Sequence, residues 1–280
     1  MVKVQHHHAH IASCMAEHNL DEPVIGLSFD GTGLGEDGKI WGSEVMIADL
    51  TGYSRLAQME YIPLPGGDKA VDEPWRIVLS LLQKVFGENC HAYAEQLFPE
   101  IPTQRRLQII EALQKNINCP LSSGLGRLFD AVATLCGLCM NPTFEAEGPM
   151  RLEAVADKRN KASYTVTISE GIWQLEPLVQ ELMKDIENKK DIGLVSAKLH
   201  NAVAGFAIQS VIAATKESGI KKVALSGGSF QNKILAEKII KSLEKKNFTT
   251  FMHAQAPPND GGISLGQLAV AAKRRRISCV

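Results

Sequence analysis

The alternation of hydrophobic and polar residues predicts helices and strands in mixed order along the chain. Short apolar runs predict strands at 24–29, 40–48, 163–168, 172–175, 222–225 and 248–252. Apolar residues at helical spacing predict helices at 5–18, from Asp72 to Val85, at 103–116, from Ser122 onward, after Met150, after Leu175, at 193–217, from Phe230 onward and after Gly262. Glycine-rich turns link several of these elements, which favours an α/β protein with a nucleotide cleft walled by loops from both halves.

Length and composition are those of an ordinary globular protein. The 280 residues suit one large domain or two lobes, and the hydrophobic and charged fractions of 45% and 22% are typical. A net charge of -1 gives no electrostatic reason to expect a nucleic acid or an anionic membrane as partner. The sequence shows no signal peptide and no apolar run of the roughly 18 to 20 residues that a membrane span needs, so we expect a cytoplasmic protein.

The histidine-rich segment near residue 6 and a loop near the other end predict a metal site. In a helix over 5–18, His6 and His10 lie one turn apart on the same face, where two imidazoles can share one ion. Asp260 stands before Gly261 and an apolar helix, at an expected N-cap position, and is the candidate third ligand. Two histidines and one carboxylate leave coordination positions open, which suits a catalytic or ligand-binding divalent ion.

The other histidines and the cysteines have simpler interpretations. A histidine cluster can be a purification tag, although tags are uninterrupted and this cluster runs into an amphipathic pattern. The six cysteines are too scattered for a disulfide framework, and one C-x-x-C pair within an apolar helical pattern lacks the second pair of a zinc site. Packing or surface roles are therefore expected for His7, His8, Cys14, His18, Cys136 and Cys139.

A glycine-rich hairpin between the first two predicted strands could hold phosphate. Asp30 opens it, and the backbone at Gly31, Thr32 and Gly33 could approach a ligand closely. The pattern is not a P-loop, because no Gly-Lys-Ser/Thr follows, and it is not a dinucleotide fingerprint, because a strand follows instead of a helix. A hairpin without a ligand is the alternative.

A second glycine turn and a lone acid are further candidates. Ser226, Gly227 and Gly228 leave a buried strand and precede a predicted helix that contains Asn232. This order places backbone donors and a helix N-terminus beside any phosphate. Asp130 lies in an otherwise apolar run, and it either faces solvent or binds a ribose hydroxyl or an ion.

The motifs together resemble the C-terminal TsaD-like domain of HypF, the carbamoyltransferase of hydrogenase maturation. The similarity runs from about Val4 to Gln267, nearly the whole chain. It implies the actin-like ATPase (ASKHA) fold, with two lobes at about 1–120 and 121–280 around a nucleotide cleft. The motifs are V-Q-H-H-H-A-H, F-D-G-T-G-x-G-E-D-G-x-I-W-G, L-P-G-G-D-K-A, E-P-W-R, G-R-L-F-D-A-V-A, L-S-G-G-x-F-Q-N and P-P-N-D-G-G.

The resemblance implies transfer of a carbamoyl group from ATP-derived carbamoyl-adenylate to the C-terminal cysteine of HypE, in the synthesis of the cyanide ligands of nickel-iron hydrogenases. By motif, His6, His10 and Asp260 would hold a divalent metal, iron or zinc before manganese, and Asp30 would join the two histidines in catalysis. The residues carried over as nucleotide-binding are Gly31, Thr32, Gly33, Asp130, Gly148, Ser226, Gly227, Gly228 and Asn232. The usual Y-E-G-Q-A-A-M reads F-E-A-E-G-P-M here, which leaves the contacts of this turn undefined.

Full HypF proteins carry acylphosphatase-like, zinc-finger and YrdC-like domains upstream, and further strands begin their TsaD-like domain. Because this sequence begins almost at the metal helix, we expect a first lobe without those strands, the missing domains on another chain, and no adenylate synthesis by this chain alone. The rival functions are an O-carbamoyltransferase of natural-product biosynthesis, with a hydroxyl acceptor, and an inactive metal- or nucleotide-binding fragment. Sugar kinases and chaperone-type ATPases share the fold, but neither accounts for the histidine pair.

Overall fold

The computed structural model describes residues 2–278, so Cys279 lies outside the described residues. The helices are α1 (His6–Glu17), α2 (Lys69–Asp72), α3 (Trp75–Phe86), α4 (Cys90–Leu97), α5 (Thr103–Gln114), α6 (Leu125–Leu135), α7 (Glu147–Val155), α8 (Glu176–Glu187), α9 (Ile192–Ser218), α10 (Lys233–Glu244) and α11 (Ile263–Ser278). The strands are β1 (Val24–Phe29), β2 (Ser43–Ala48), β3 (Tyr53–Met59), β4 (Ile62–Pro63), β5 (Leu121–Ser122), β6 (Thr167–Ser169), β7 (Ile172–Gln174), β8 (Lys222–Ser226) and β9 (Thr249–Met252). This mixed order confirms the predicted α/β class.

The chain forms two compact units, each assembled from separate segments. The first unit comprises Met1–Met59, Ile168–Trp173 and Val203–Val280, and the second comprises Glu60–Thr167 and Gln174–Ala202. A division into 1–120 and 121–280 does not describe these units, because β7 pairs with β3 and so returns the chain to the first unit.

A seven-stranded sheet organises the first unit, in the order β6-β7-β3-β2-β1-β8-β9. Strand β1 pairs antiparallel with β2 and parallel with β8, and β9 adds a further parallel strand. Every residue of β1 is buried, as a continuous apolar run predicts. The parallel register places Ser28 opposite Ser226. The two glycine-rich turns that follow these strands therefore leave the sheet side by side.

Helix α1 packs against both the sheet and α11, and two glycines allow the close approach. A Cβ on Gly26 of β1 would lie 2.6 Å from Cγ1 of Ile11. A Cβ on Gly266 of α11 would lie 2.8 Å from the backbone nitrogen of Ser13 and closer still to the carbonyl oxygen of Ala9. These contacts hold the histidine-bearing helix between the sheet and the last helix.

The second unit is mainly helical and contains the two-stranded sheet of β4 and β5. At the start of α3, the buried Trp75 packs on Phe98 with ring centroids 6.4 Å apart. Glu73, just before it, accepts hydrogen bonds from Arg76 and Arg105 at 2.6 Å each. The E-P-W-R motif therefore has a structural role, because it anchors the beginning of α3.

Two predicted helices differ from the structure at their ends. Helix α6 ends at Leu135, with Cys136 as its C-cap and Gly137 in the left-handed region at a φ of 68°. Cys136 and Cys139 thus follow the helix instead of lying within it. Asn232 does not lie inside α10 but caps it, because its side chain accepts a hydrogen bond from a backbone N–H of the first turn.

Two strands are shorter than predicted. Strand β2 begins at Ser43 and β6 at Thr167, because the residues before them belong to loops.

The five cysteines within residues 2–278 are free thiols, as predicted. None of the helices in that range combines the length and the apolar character that crossing a bilayer requires.

Candidate metal centre

Gln5 fixes the start of α1 and the orientation of its first histidines. Its side-chain oxygen accepts a hydrogen bond from the N–H of His8 at 2.9 Å, as an N-cap does. Its amide nitrogen is therefore the donor that faces Nδ1 of His7 at 3.2 Å. The helical spacing then brings the rings of His6 and His10 to a centroid separation of 4.9 Å.

Four side chains from distant parts of the chain meet beside α1. The ligand atoms of His6, His10, Asp30 and Asp260 all lie within 4.8 Å of one another. Nε2 of His10 is 3.1 Å from Oδ2 of Asp30 and 3.4 Å from Oδ1 of Asp260. Nε2 of His6 is 3.6 Å from the same Asp260 oxygen. The structure thus brings together the three residues predicted as metal ligands and adds Asp30 to them.

Asp260 faces the histidines because it is not the helix cap that the sequence predicts. Asn259 instead caps the short 3-10 turn that precedes α11, and its side-chain oxygen accepts a hydrogen bond from the N–H of Gly261 at 3.1 Å. Asp260 begins a short 3-10 turn, and α11 starts only at Ile263. The N-cap prediction for Asp260 was wrong, and the difference leaves its carboxylate available to the histidines.

Backbone donors hold the carboxylate of Asp30. The N–H of Gly31 donates to Oδ1 at 2.7 Å, and the N–H of Gly228 donates to Oδ2 at 3.3 Å. Burial alone would raise the pKa of Asp30, but the imidazole of His10 and these two N–H groups outweigh it and lower that pKa. Asp30 therefore stays ionised, in the form that binds a cation. The N–H groups of Gly31 and Gly228, which were predicted to face a nucleotide, are therefore hydrogen-bonded to Asp30 in this structure.

The two imidazoles offer nitrogen atoms without partners. Burial, followed by the proximity of His10, lowers the pKa of His6, while Asp260 and Asp30 act in the opposite direction. The Nε2 atoms of His6 and His10 are buried and have no hydrogen-bond partner among the described residues. Both nitrogens face carboxylate oxygens of Asp30 or Asp260 at 3.1 to 3.6 Å, so a cation between these atoms could be bound by all of them. The donor set of two nitrogens and two oxygens therefore fits a divalent metal ion.

The first glycine-rich hairpin forms a wall of this cluster. A Cβ on Gly33 would lie 2.5 Å from Cδ2 of His6 and from Cε1 of His7, so only glycine fits at this position. Trp41, at the end of the hairpin, has its ring centroid 5.9 Å from that of His7. Thr32 is exposed. The absence of a side chain at Gly33 therefore allows the hairpin to approach the histidines closely, and the side chain of Thr32 is accessible to solvent.

A buried ion pair supports the base of the hairpin. Glu44 is wholly buried and accepts hydrogen bonds from the N–H groups of Gly42 and Ser43 at 3.0 and 3.3 Å. It also pairs with the guanidinium of Arg55. The guanidinium carbon lies 3.8 Å from the centre of the Trp41 ring, a cation–π contact. These contacts fix the point at which the hairpin enters β2.

The second glycine turn is held by contacts of its own. Oγ of Ser226 faces Nε2 of His253 at 2.9 Å and Nδ1 of His10 at 3.5 Å. Gly227 has a φ of 104°, and a Cβ there would collide with the backbone at the end of β1. Asn232 uses its side chain as the cap of α10. Ser226 and Asn232, both predicted to bind nucleotide, therefore have protein partners in this structure.

Two further predicted residues, Asp130 and Gly148, lie in the second unit. Asp130 is buried, with a side chain 8% exposed, so the solvent-facing alternative is wrong. Burial raises its pKa, while Arg127, 3.0 Å away, acts to lower it. A Cβ on Gly148 would lie 3.5 Å from Oδ1 of Asp130 and 3.1 Å from Cβ of Ala133. The two predicted residues are thus neighbours.

Two residues beside the site were not identified from the sequence. Glu17 and His253 contact each other, and His253 contacts Ser226. For Glu17 a signal exists, because it follows His10 by seven residues on α1 and so shares its face. For His253 no local signal exists, because its position depends on the pairing of β9 with β8.

The sequence matches one protein-family model and two carbamoyltransferases of Cupriavidus necator. The family model described as a carbamoyltransferase, Kae1-like domain, second subdomain, matches residues 26–267. The carbamoyltransferase HypF2 of Cupriavidus necator is 33% identical over 98% of this chain, which spans 36% of that relative. A carbamoyltransferase HypF homolog of the same organism is 35% identical over 98% of this chain, which spans 71% of it.

The solved structures agree with the sequence comparison. A crystal structure of full-length HypF in the phosphate- and nucleotide-bound form has a TM-score of 0.90 and 37% identity. The similarity covers 97% of this chain and 43% of that protein. The structural match therefore includes segments of both units and supports the actin-like ATPase type of fold. The chain belongs to the HypF carbamoyltransferase family, and the part of that family it matches is the Kae1-like domain.

Proposed function

We propose that this chain performs the carbamoyl-transfer step of a HypF-type reaction, from carbamoyl-adenylate to the C-terminal cysteine thiol of HypE. The observation that carries the proposal is the cluster of His6, His10, Asp30 and Asp260 within 4.8 Å, in a chain of this family. Carbamoyl-adenylate would come from the upstream HypF domains, and these would be supplied on another chain if this one lacks them.

The cluster would hold one divalent ion, iron or zinc, which would act as a Lewis acid on the phosphate of the adenylate and orient it. The two carboxylates balance the charge of such an ion, and the imidazoles complete the set as neutral donors. Asp260 is the most accessible member, with a side chain 70% exposed, whereas those of His10 and Asp30 are 1% and 16% exposed. A substrate would therefore approach the cluster from the side of Asp260.

The nucleotide part of the proposal draws on a relative and on the turns beside the cluster. The HypF structure similar to this chain was solved with phosphate and nucleotide. In this chain, Gly31 and Gly228 lie against Asp30, so the two glycine turns border the cluster. Binding of the adenylate phosphate at these turns would place the carbamoyl group near the ion.

The acceptor thiol would come from the partner. The pKa values of the Cys14, Cys90 and Cys136 thiols are raised to about 12 by burial, so these thiols are poor nucleophiles. In the proposed step, the sulfur of the HypE cysteine attacks the carbamoyl carbon and forms a C–S bond. The C–O bond to the phosphate breaks, AMP leaves with the electron pair, and a base in solution takes the thiol proton.

The test supplies purified chain and divalent metal with HypE and carbamoyl-adenylate made by separate HypF upstream domains. Mass spectrometry should show one carbamoyl group on the C-terminal peptide of HypE, and Asp260→Asn should abolish it. A product only on hydroxyl acceptors would contradict the thiol assignment and favour an O-carbamoyltransferase. No product on any acceptor would contradict the enzyme and favour a binding fragment.

A further inference from the structure

A line of side chains runs from the metal cluster to the C-terminal end of α1. Nδ1 of His10, on the side of the ring away from the cluster, is 3.5 Å from Oγ of Ser226. That oxygen is 2.9 Å from Nε2 of His253. Nδ1 of His253 is in turn 3.0 Å from a carboxylate oxygen of Glu17. Ser226 and His253 thus connect His10 to the carboxylate of Glu17.

Glu17 sets the direction of the first hydrogen bond. Its carboxylate accepts the N–H groups of Ala254 and Gln255 at 2.7 Å each and that of Ala256 at 3.2 Å. Burial acts to raise the pKa of Glu17, but these donors and His253 outweigh it and lower the pKa to about 2. An ionised carboxylate can only accept, so Nδ1 of His253 carries the proton that faces it.

The directions of the His253–Ser226 and Ser226–His10 hydrogen bonds follow from which atoms carry protons. Burial lowers the pKa of His253, and a neutral imidazole with its proton on Nδ1 has a bare Nε2. The hydroxyl of Ser226 then donates to that nitrogen at 2.9 Å, the nearer of its two acceptors, because the carbonyl oxygen of Pro258 lies 3.4 Å away. The oxygen of Ser226 then has only lone pairs to offer Nδ1 of His10. A hydrogen bond between these two atoms therefore requires the proton to be on Nδ1.

We infer that Glu17, His253 and Ser226 are positioning residues that hold His10 as the Nδ1–H tautomer and turn its bare Nε2 toward the metal. The inference rests on the proposed metal site. Nε2 of His10 lies 3.1 Å from a carboxylate oxygen of Asp30 and 3.4 Å from one of Asp260, so it faces the oxygens that would share the ion. Metal-binding histidines generally donate their second N–H to a protein acceptor in this way.

The hydrogen bond of His10 in the metal-bound chain is the most direct test. In NMR spectra of the Zn²⁺-loaded chain, with the ring of His10 assigned by through-bond correlation, Nδ1 should carry the proton and donate it to Ser226. Ser226→Ala removes the hydroxyl without adding volume and should shift the Nδ1–H signal to that of a group without this acceptor. A wild-type Nδ1–H signal that Ser226→Ala leaves unchanged, or a His10 that binds Zn²⁺ through Nδ1, would overturn the inference.

The second test measures affinity for Co²⁺ as a spectroscopic probe of the site. Ser226→Ala and Glu17→Gln should raise the Kd for Co²⁺ by about 10- to 100-fold, the usual effect of losing an outer partner of a ligand. The matched control is His18→Ala, because His18 lies at the end of the same helix and contacts a backbone oxygen of Met252 at 2.9 Å. It should lower the Tm and leave both the Kd and the Nδ1–H signal of His10 unchanged.

The outcomes separate this inference from the metal site itself. If the wild type binds Co²⁺ and Ser226→Ala binds it equally well, the positioning role is refuted and the metal site stands. If the wild type binds no Co²⁺, the metal site is refuted and the positioning role with it. A Kd that rises equally in Ser226→Ala and His18→Ala would show a general loss of stability, which also refutes the positioning role.

Discussion

Substitution of Gly266 by alanine tests whether close packing of α11 on α1 holds the two halves of the cluster together. A Cβ at this position would lie 2.8 Å from the carbonyl carbon of Ala9 and from the nitrogen of Ser13, and it would overlap the carbonyl oxygen of Ala9. Optimal carbon contacts are near 3.5 Å, so the carbon contact alone requires the helices to separate locally by about 0.7 Å, and the oxygen contact requires more. The obstacle is backbone, which cannot move aside as a side chain can.

The expected magnitude combines two opposing terms. Alanine is favoured over glycine inside a helix by about 1 kcal/mol. Overpacking of a close contact costs about 1–3 kcal/mol, and a backbone obstacle belongs at the upper end of that range. We therefore expect Gly266→Ala to lower the free energy of unfolding by about 2 kcal/mol, or the Tm by roughly 4–8 °C.

Thermal and denaturant unfolding measure the effect, and Gly52→Ala is the matched control. A Cβ at Gly52 meets no atom within 4 Å, so this substitution should be neutral or stabilise by up to about 1 kcal/mol. Gly266→Ala should also weaken metal binding, because α1 carries the histidines and α11 follows Asp260. A Gly266→Ala protein as stable as wild type would refute the packing argument.

Three further changes test the surroundings of the site. Gly33→Ala would press on His6 and should raise the Kd for a divalent metal at least about tenfold, measured by competition with a chelator. Arg55→Ala leaves Glu44 buried without its cation and should cost about 3–5 kcal/mol in denaturant unfolding. The pKa of Glu17 is lowered from 4.5 to about 2, so its contribution to stability is present above pH 4.5 and is lost as pH falls toward 2. Glu17→Gln should remove that part of the acid dependence, and an unchanged acid limb would contradict this assignment.

Local patterns were enough to predict most elements of the fold. The periodicity of α1 and the apolar run of β1 are local properties, and both elements were found where they were expected. The i, i+4 spacing of His6 and His10 likewise fixes their relative position, because a helix brings such residues together. Asp260 was proposed as the third ligand from an expected N-cap position and again from the family resemblance, because no local spacing relates it to the two histidines.

Strand β3 and helix α4 were not predicted. The parts of the site that the sequence did not predict depend on long-range packing. Asp30 joins the cluster because β1 runs parallel to β8, which brings the N–H of Gly228 to its carboxylate. Nothing local shows that pairing. The cap was predicted at Asp260 instead of Asn259, because either residue type can cap a helix and only the geometry of the turn selects one of them.

We expect the chain to bind one divalent ion through His6, His10, Asp30 and Asp260. Equilibrium dialysis of the purified chain against Zn²⁺ and Fe²⁺, followed by metal analysis, measures this binding. The wild type should hold one ion per chain, and His6→Ala, His10→Ala, Asp30→Asn and Asp260→Asn should each weaken binding by at least about tenfold, while His18→Ala should not. A wild type that holds no ion, or an Asp30→Asn and an Asp260→Asn variant that bind as tightly as it does, would contradict the account.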